Sequence, residues 1–156
     1  MATDEQLSAT LDATTPHEMP DLAELTPSFP VREGEEPWTA DEVRVVAEEL
    51  AADVIRLRDE LAVADADLAT LLRNAGEGSG DDQADYGSSA LEREQELTLV
   101  NNTRDLLEQT VHALRRVGVA GFAVCESCGE AIGKARVQAF PRATLCVACK
   151  SRQERR

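Results

Sequence analysis

"CESCGEAIGKARVQAFPRATLCVACK", residues 125–150, holds all four cysteines of a 156-residue chain. The pairs Cys125/Cys128 and Cys146/Cys149 are each spaced by two residues and lie seventeen residues apart, the spacing of a four-thiolate zinc site. A two-residue spacer lets both thiolates of a pair face one tetrahedral ion, and Gly129 suits the tight knuckle that turns backbone N–H groups toward sulfur. Four cysteines close the coordination shell. The expected cofactor is therefore one structural Zn2+ with no open position for catalysis, and neither His17 nor His112 is needed as a ligand. A thioredoxin-like pair would need a strand-and-helix sandwich around one CxxC, and a disulfide framework would need an oxidising compartment; no signal supports either. Oxidation of the zinc thiolates with release of the metal stays open as an added sensing role. Apolar residues are few in this module (Ile132, Val137, Phe140, Leu145), so metal binding, on the order of 10 to 16 kcal/mol in zinc-finger peptides, is expected to supply its folding energy.

Upstream, the pattern changes to long helices. In "PWTADEVRVV", Thr39 and Glu42 form a capping box and Trp38 can staple onto Val43, so a helix begins here. Val43, Ala47, Leu50, Val54, Leu57, Leu61, Ala64, Leu68, Leu71 and Ala75 then alternate steps of four and three, the seam of a coiled coil. Such a helix spans on the order of 50 Å and needs an apolar partner along its length. The segment 89–117 is the expected partner, started by a capping box of Ser89 and Glu92, with Leu97, Val100, Leu107, Val111 and Leu114 as its seam and Arg104 in one slot, rotated to the edge. Between the two, "GEGSGDDQADYGSSALE" (76–92) lets the chain reverse and places Asp81, Asp82 and Asp85 at the turn.

The fold class expected is all-α: an antiparallel helical hairpin (coiled coil) followed by a small four-cysteine zinc finger with a short C-terminal helix. The hairpin takes residues 38–118 with an acidic tip loop at 76–88, and the finger takes 119–156 with a basic C-terminal helix. Residues 1–37 carry five of the six prolines and many acids without periodicity, so they are expected to be a disordered acidic tail. The stretch "LAELTPSF" within it is a candidate docking motif for a partner.

The formal net charge is -14, shared unevenly: -8 over residues 1–40, -10 over 41–124 and +4 over 125–156. A surface this acidic repels phosphate backbones, so direct nucleic-acid binding is not expected, and only the C-terminal end could support it. No basic region precedes an apolar core, and no long uncharged apolar run exists, so no signal peptide or membrane span is expected and the protein is placed in the cytoplasm.

The quoted stretch resembles the zinc finger of the DksA/TraR family of bacterial transcription regulators, through its CxxCG, the following Ile and Gly, the Arg-hydrophobic-x-Ala run, the Pro and the closing CxxCK. This resemblance implies a regulator, not an enzyme, that binds RNA polymerase directly, and a monomer is expected. It inserts its coiled coil into the secondary channel and brings tip aspartates near the catalytic centre to alter initiation. Asp82 and Asp85 in "DQADYG" match the family's Asp-x-x-Asp-x-Ala tip, with Gly87 in place of the alanine. Lys150 and Arg152 are candidate polymerase or phosphate contacts. Members that respond to guanosine tetraphosphate use basic side chains where this chain has Asn102, Gln109 and Phe140, and only Lys150 matches, so little alarmone dependence is expected. The alternatives are a zinc-stabilised DNA- or RNA-binding module and a protein-interaction adapter.

Overall fold

The computed structural model describes residues 21–77, 83–119 and 121–155. The elements are α1 (Leu22–Leu25), a 3-10 turn (Thr26–Ser28), α2 (Ala40–Glu77), α3 (Gln83–Val117), α4 (Lys134–Ala139) and α5 (Val147–Glu154). An isolated antiparallel bridge joins Val124 and Ala131. No described helix is long and apolar enough to cross a membrane.

Helix α2 starts as its cap dictates. Glu42 N–H donates to Thr39 Oγ1 at 3.2 Å, and the Glu42 carboxylate accepts from Thr39 N–H at 2.8 Å, so two otherwise orphaned donors are satisfied. Asp41 and Glu42 in the first turn and Arg115 and Arg116 in the last turn of α3 complement the helix dipoles. On the exposed side of α2, Arg56 bridges Asp53 and Glu60, each at 2.8 Å, surface contacts that solvent largely screens.

The chain divides into two compact units, one of residues 53–108 and one of the two flanking segments, and α2 and α3 contribute to both. In the unit of residues 53–108, the helices are joined through 78–82 and run antiparallel, with Asp65 on α2 reaching Arg104 on α3 at 3.4 Å. Val54, Leu57 and Ala64 are buried from α2, and Val100, Thr103 and Leu107 from α3. Leu61, Leu68 and Leu71 are half-buried.

The seam of α3 differs from the sequence expectation. Leu97 is 45% exposed, and Arg104 is exposed too. Val100, Thr103, Leu107, Thr110, Leu114 and Val117, alternating steps of three and four, are all buried instead. Threonine presents a methyl group as well as a hydroxyl, so it can occupy an inward position that a purely apolar reading passes over. The expected edge placement of Arg104 follows, because Thr103 fills the slot beside it.

The expected cap at Ser89 is absent: α3 is already helical from Gln83, and Ser89 lies inside it. The helices also take residues 76–77 and 83–88 that the sequence reading gave to a loop.

The second unit corrects the reading of residues 1–37, of which 21–37 are described. Asp21 caps α1 by accepting from Ala23 N–H at 2.9 Å. The 3-10 turn then buries Thr26 and Phe29. Phe29 and Trp38 both pack on Phe122, with ring centroids 4.9 and 5.0 Å away, and Trp38 Nε1 donates to the Pro30 carbonyl at 3.2 Å. Burial of each aromatic side chain contributes about 1.5 to 3 kcal/mol toward the cost of ordering the proline-rich strap. The same unit buries Val43, Val46, Ala47 and Leu50 of α2, Val111, Leu114 and Val117 of α3, and Ile132 and Val137 near the cysteines.

Candidate metal centre and hairpin tip

The first cysteine pair sits in a tight knuckle. Cys125 N–H donates to the Glu130 carbonyl and Gly129 N–H to the Cys125 carbonyl, both at 2.8 Å, and Gly129 takes φ of 76°, a conformation that costs glycine little. The second pair opens α5: Cys146 precedes its first residue and accepts from Lys150 N–H at 2.9 Å, while Cys149 is buried within it. Two links hold the knuckles together. Glu126 N–H donates to the Thr144 carbonyl at 2.9 Å, and Cys146 N–H donates to Cys125 Sγ at 3.3 Å. From α4, Arg136 Nε adds a bond to the Leu145 carbonyl at 3.0 Å.

This framework gathers the four sulfurs within 4.8 Å of one another, and none forms a disulfide. Cys128 Sγ and Cys146 Sγ are 3.9 Å apart, close to the edge of about 3.8 Å that follows from tetrahedral Zn–S bonds of about 2.3 Å. Burial pushes the Cys125 thiol up, but N–H groups of Cys146, Cys128 and Ser127 directed at the sulfur outweigh it and bring the pKa down to about 6. Cys149 is also lowered, by the Ser127 hydroxyl first and by its sulfur neighbours and Arg152. The Glu130 amide would lower Cys128, yet the surrounding sulfurs prevail and raise it to about 11. Thiolates this crowded repel one another and call for a divalent cation. The residues fit one structural zinc, held by Cys125, Cys128, Cys146 and Cys149, which closes the shell with sulfur alone.

Neighbouring side chains brace the site. His112 Nε2 on α3 lies 2.5 Å from Glu126 Oε1, between the first two cysteines, and Arg116 Nε stands 3.7 Å from the same carboxylate oxygen. Arg116 also donates to the carbonyls of Gly121, at 2.6 Å, and Val124. Opposite, Lys134 at the start of α4 binds the N-terminal strap. Its N–H donates to Glu35 Oε1 at 3.0 Å, and its ammonium donates to the Pro37 carbonyl at 3.2 Å and Glu42 Oε2 at 2.8 Å.

The candidate contact residues are partly engaged. Arg152 Nη2 donates to Cys149 Sγ at 2.9 Å, so it serves the metal site, a role the sequence reading missed although its spacing of three from Cys149 on a helix would have permitted it. Lys150 is 3.7 Å from Glu154 and, with Arg136, Phe140 and Val147, borders a recess of about 400 Å³. Phe140 is 62% exposed beneath the Arg136 guanidinium, while Asn102 and Gln109 are exposed on α3. At the tip, Asp82 lies outside the described residues. Asp85 falls in the first turn of α3, with only its backbone described.

Residues 118–155 match the family model of the prokaryotic dksA/traR C4-type zinc finger. The chain is 43% identical over 75 residues to the RNA polymerase-binding transcription factor DksA of Caulobacter vibrioides (strain NA1000 / CB15N), a match covering 48% of this chain and 53% of that protein. It is 40% identical over 68 residues to the protein of the same name from Escherichia coli (strain K12), covering 42% and 45%. The matches thus span about half the length of these curated relatives. Among solved structures, transcription factor DksA2 from Pseudomonas aeruginosa superposes with a TM-score of 0.60 at 28% identity, covering 74% of this chain and 84% of that one.

Proposed function

We propose that this chain, which belongs to the DksA/TraR family of zinc-finger proteins, is a bacterial transcription regulator that binds RNA polymerase directly and inserts its acidic-tipped hairpin into the secondary channel to modulate initiation. It is not an enzyme. The observation that carries the reading is the combination of a family-type four-cysteine centre with an antiparallel helix pair, α2 and α3, with Asp82 in the sequence that links them and Asp85 in the first turn of α3. Carboxylates on a narrow probe can approach a magnesium-containing active centre or its mobile loops and act through charge and hydrogen bonds without joining the chemistry. The protein acts in the cytoplasm as a monomer.

Alarmone dependence is weak in this reading. A tetraphosphate needs concentrated positive charge, and the recess beside Lys150 adds one further cation, Arg136, together with the exposed ring of Phe140 and the carboxylate of Glu154. Retained synergy with guanosine tetraphosphate, lost on Lys150→Ala, would contradict this. The nucleic-acid alternative is disfavoured because Arg152 is committed to Cys149 and Lys150 lies beside Glu154.

The test compares wild type with Asp82→Asn/Asp85→Asn for binding to cognate RNA polymerase and for transcript output from several promoters. Equal binding with regulation lost in the double variant supports the reading; absence of wild-type binding to polymerase sinks it.

A further inference from the structure

Within residues 53–108, the two helices leave a groove of about 480 Å³ bordered by Asp59, Glu60, Val63 and Asp67 of α2 and by Glu96 and Leu99 of α3. Its floor is small and buried, made of Ala64 and Thr103, while its apolar walls Val63 and Leu99 are 62% and 51% exposed. Positions flanking a two-stranded seam are ordinarily charged, so a valine and a leucine facing each other across a groove are unexpected unless something covers them. Small floor residues permit close approach of another helix.

The rim identifies the occupant by charge. All four rim side chains that ionise are acidic; Glu60 is engaged by Arg56 along its own helix, and among the described residues no cation comes within ion-pair distance of Asp59, Asp67 or Glu96. A second copy of this surface would set acid against acid, because residues 53–108 carry fourteen acids and five bases. Nucleic acid and anionic lipid are repelled for the same reason. We propose that this groove receives an amphipathic helix of a partner protein, one presenting apolar side chains to Val63 and Leu99 and lysines or arginines to Asp59, Asp67 and Glu96. Such a helix docks through apolar residues repeated at three- and four-residue spacing, with its basic flanks over the rim. The proposal rests on the polymerase reading for the identity of the protein that carries the helix.

The test uses the full chain and two variants, Val63→Ser/Leu99→Ser for the walls and Asp59→Asn/Asp67→Asn/Glu96→Gln for the rim, with circular dichroism confirming retained helix. Binding to purified cognate RNA polymerase is measured across a salt series. The wall variant is expected to bind about tenfold more weakly, and the rim variant to show a flatter salt dependence. If wild type and both variants bind alike, the groove proposal is overturned while the polymerase reading stands. If wild type does not bind polymerase, that reading falls, and the groove is decided by an NMR titration with a Leu/Lys amphipathic helical peptide. Shifts gathered on residues 59–67 and 96–103, and lost in the wall variant, support it; absence of such shifts overturns it. Self-association of wild type that disappears in the wall variant would assign the groove to a second copy and overturn it equally.

Discussion

The ammonium of Lys134 stands 2.8 Å from Glu42 Oε2 and 5.2 Å from the centre of the Trp38 ring, so one side chain of the finger holds both the cap of α2 and the aromatic end of the N-terminal strap. With only 13% of its side chain exposed, this cation depends on its partners more than a surface lysine does. Replacing Lys134 by Met should lower stability by about 1 to 3 kcal/mol, measured by denaturant unfolding. Trp38, the chain's single tryptophan, should report the loosening as a red-shifted emission.

The same pair confers an acid sensitivity. Glu42 lies below the usual carboxylate range, held there first by Lys134 and then by the Thr39 N–H. A depressed carboxylate stabilises the fold above its unfolded-state pKa of about 4.3, and that contribution is lost as pH falls through the lower folded value. The Glu42→Gln variant should therefore be less stable than wild type at neutral pH and converge on it in acid; a constant difference across that range would contradict the assignment.

Metal removal should unfold the finger selectively. A strong chelator is expected to abolish the ordered structure of residues 122–155, whose buried apolar side chains are few, while much of the helical circular dichroism from α2 and α3 persists. Because Phe122 and Lys134 belong to the finger, Trp38 emission should shift red together with zinc loss. Unchanged emission on complete chelation would show that strap and finger are uncoupled.

Proton release on zinc binding should be below four. With Cys125 lowered to about 6 and Cys149 lowered as well, part of the thiolate character exists before the metal arrives, whereas Cys128, raised to about 11, must give up its proton. Calorimetry at pH 7.5 in buffers of different ionisation enthalpy measures the number. Zinc affinity should fall with decreasing pH throughout this range, because Cys128 must lose its proton, and more steeply toward 6 and below, where Cys125 also becomes protonated.

Two glycines should respond in opposite directions to alanine. Gly133 has φ of 104°, and an added Cβ would lie 2.9 Å from Arg32 Cδ. That arginine can swing away, so the backbone decides, and Gly133→Ala should cost about 1 to 3 kcal/mol whether or not Arg32 is also truncated. Gly87 lies within α3 with nothing near a prospective Cβ, and Gly87→Ala should raise stability by up to about 1 kcal/mol. Denaturant midpoints of the three variants test both statements.

The metal site was legible because thiol chemistry restricts it to one residue type at fixed spacing. The α2 seam was legible for a related reason: its inward positions from Val43 to Ala64 are nearly all apolar in letter as well as in environment. On α3, Thr103 and Thr110 are polar in letter and buried in fact, so they were passed over and the apparent seam included the exposed Leu97. The strap escaped notice because prolines and acids dominate its composition. Its anchors, Phe29 and Trp38, bear no periodic relation and find their common partner, Phe122, far along the chain. Two of only five aromatic residues in so short a stretch were the available signal. For Arg152, a candidate polymerase or phosphate contact by sequence, the bond to Cys149 could not be read in advance because it arises only once the thiolates are assembled.

Glu35 and the backbone of Lys134 that it binds are separated by 99 residues of sequence. At synthesis rates of about 5 to 20 residues per second, the strap leaves the ribosome on the order of 5 to 20 seconds before its dock has been made. During that interval Phe29 and Trp38 have no Phe122 to cover them, and the acidic composition around them keeps the nascent segment soluble. Closure of the strap is then a late, long-range event in folding, set by the arrival of the metal-binding segment and not by the helices that form earlier.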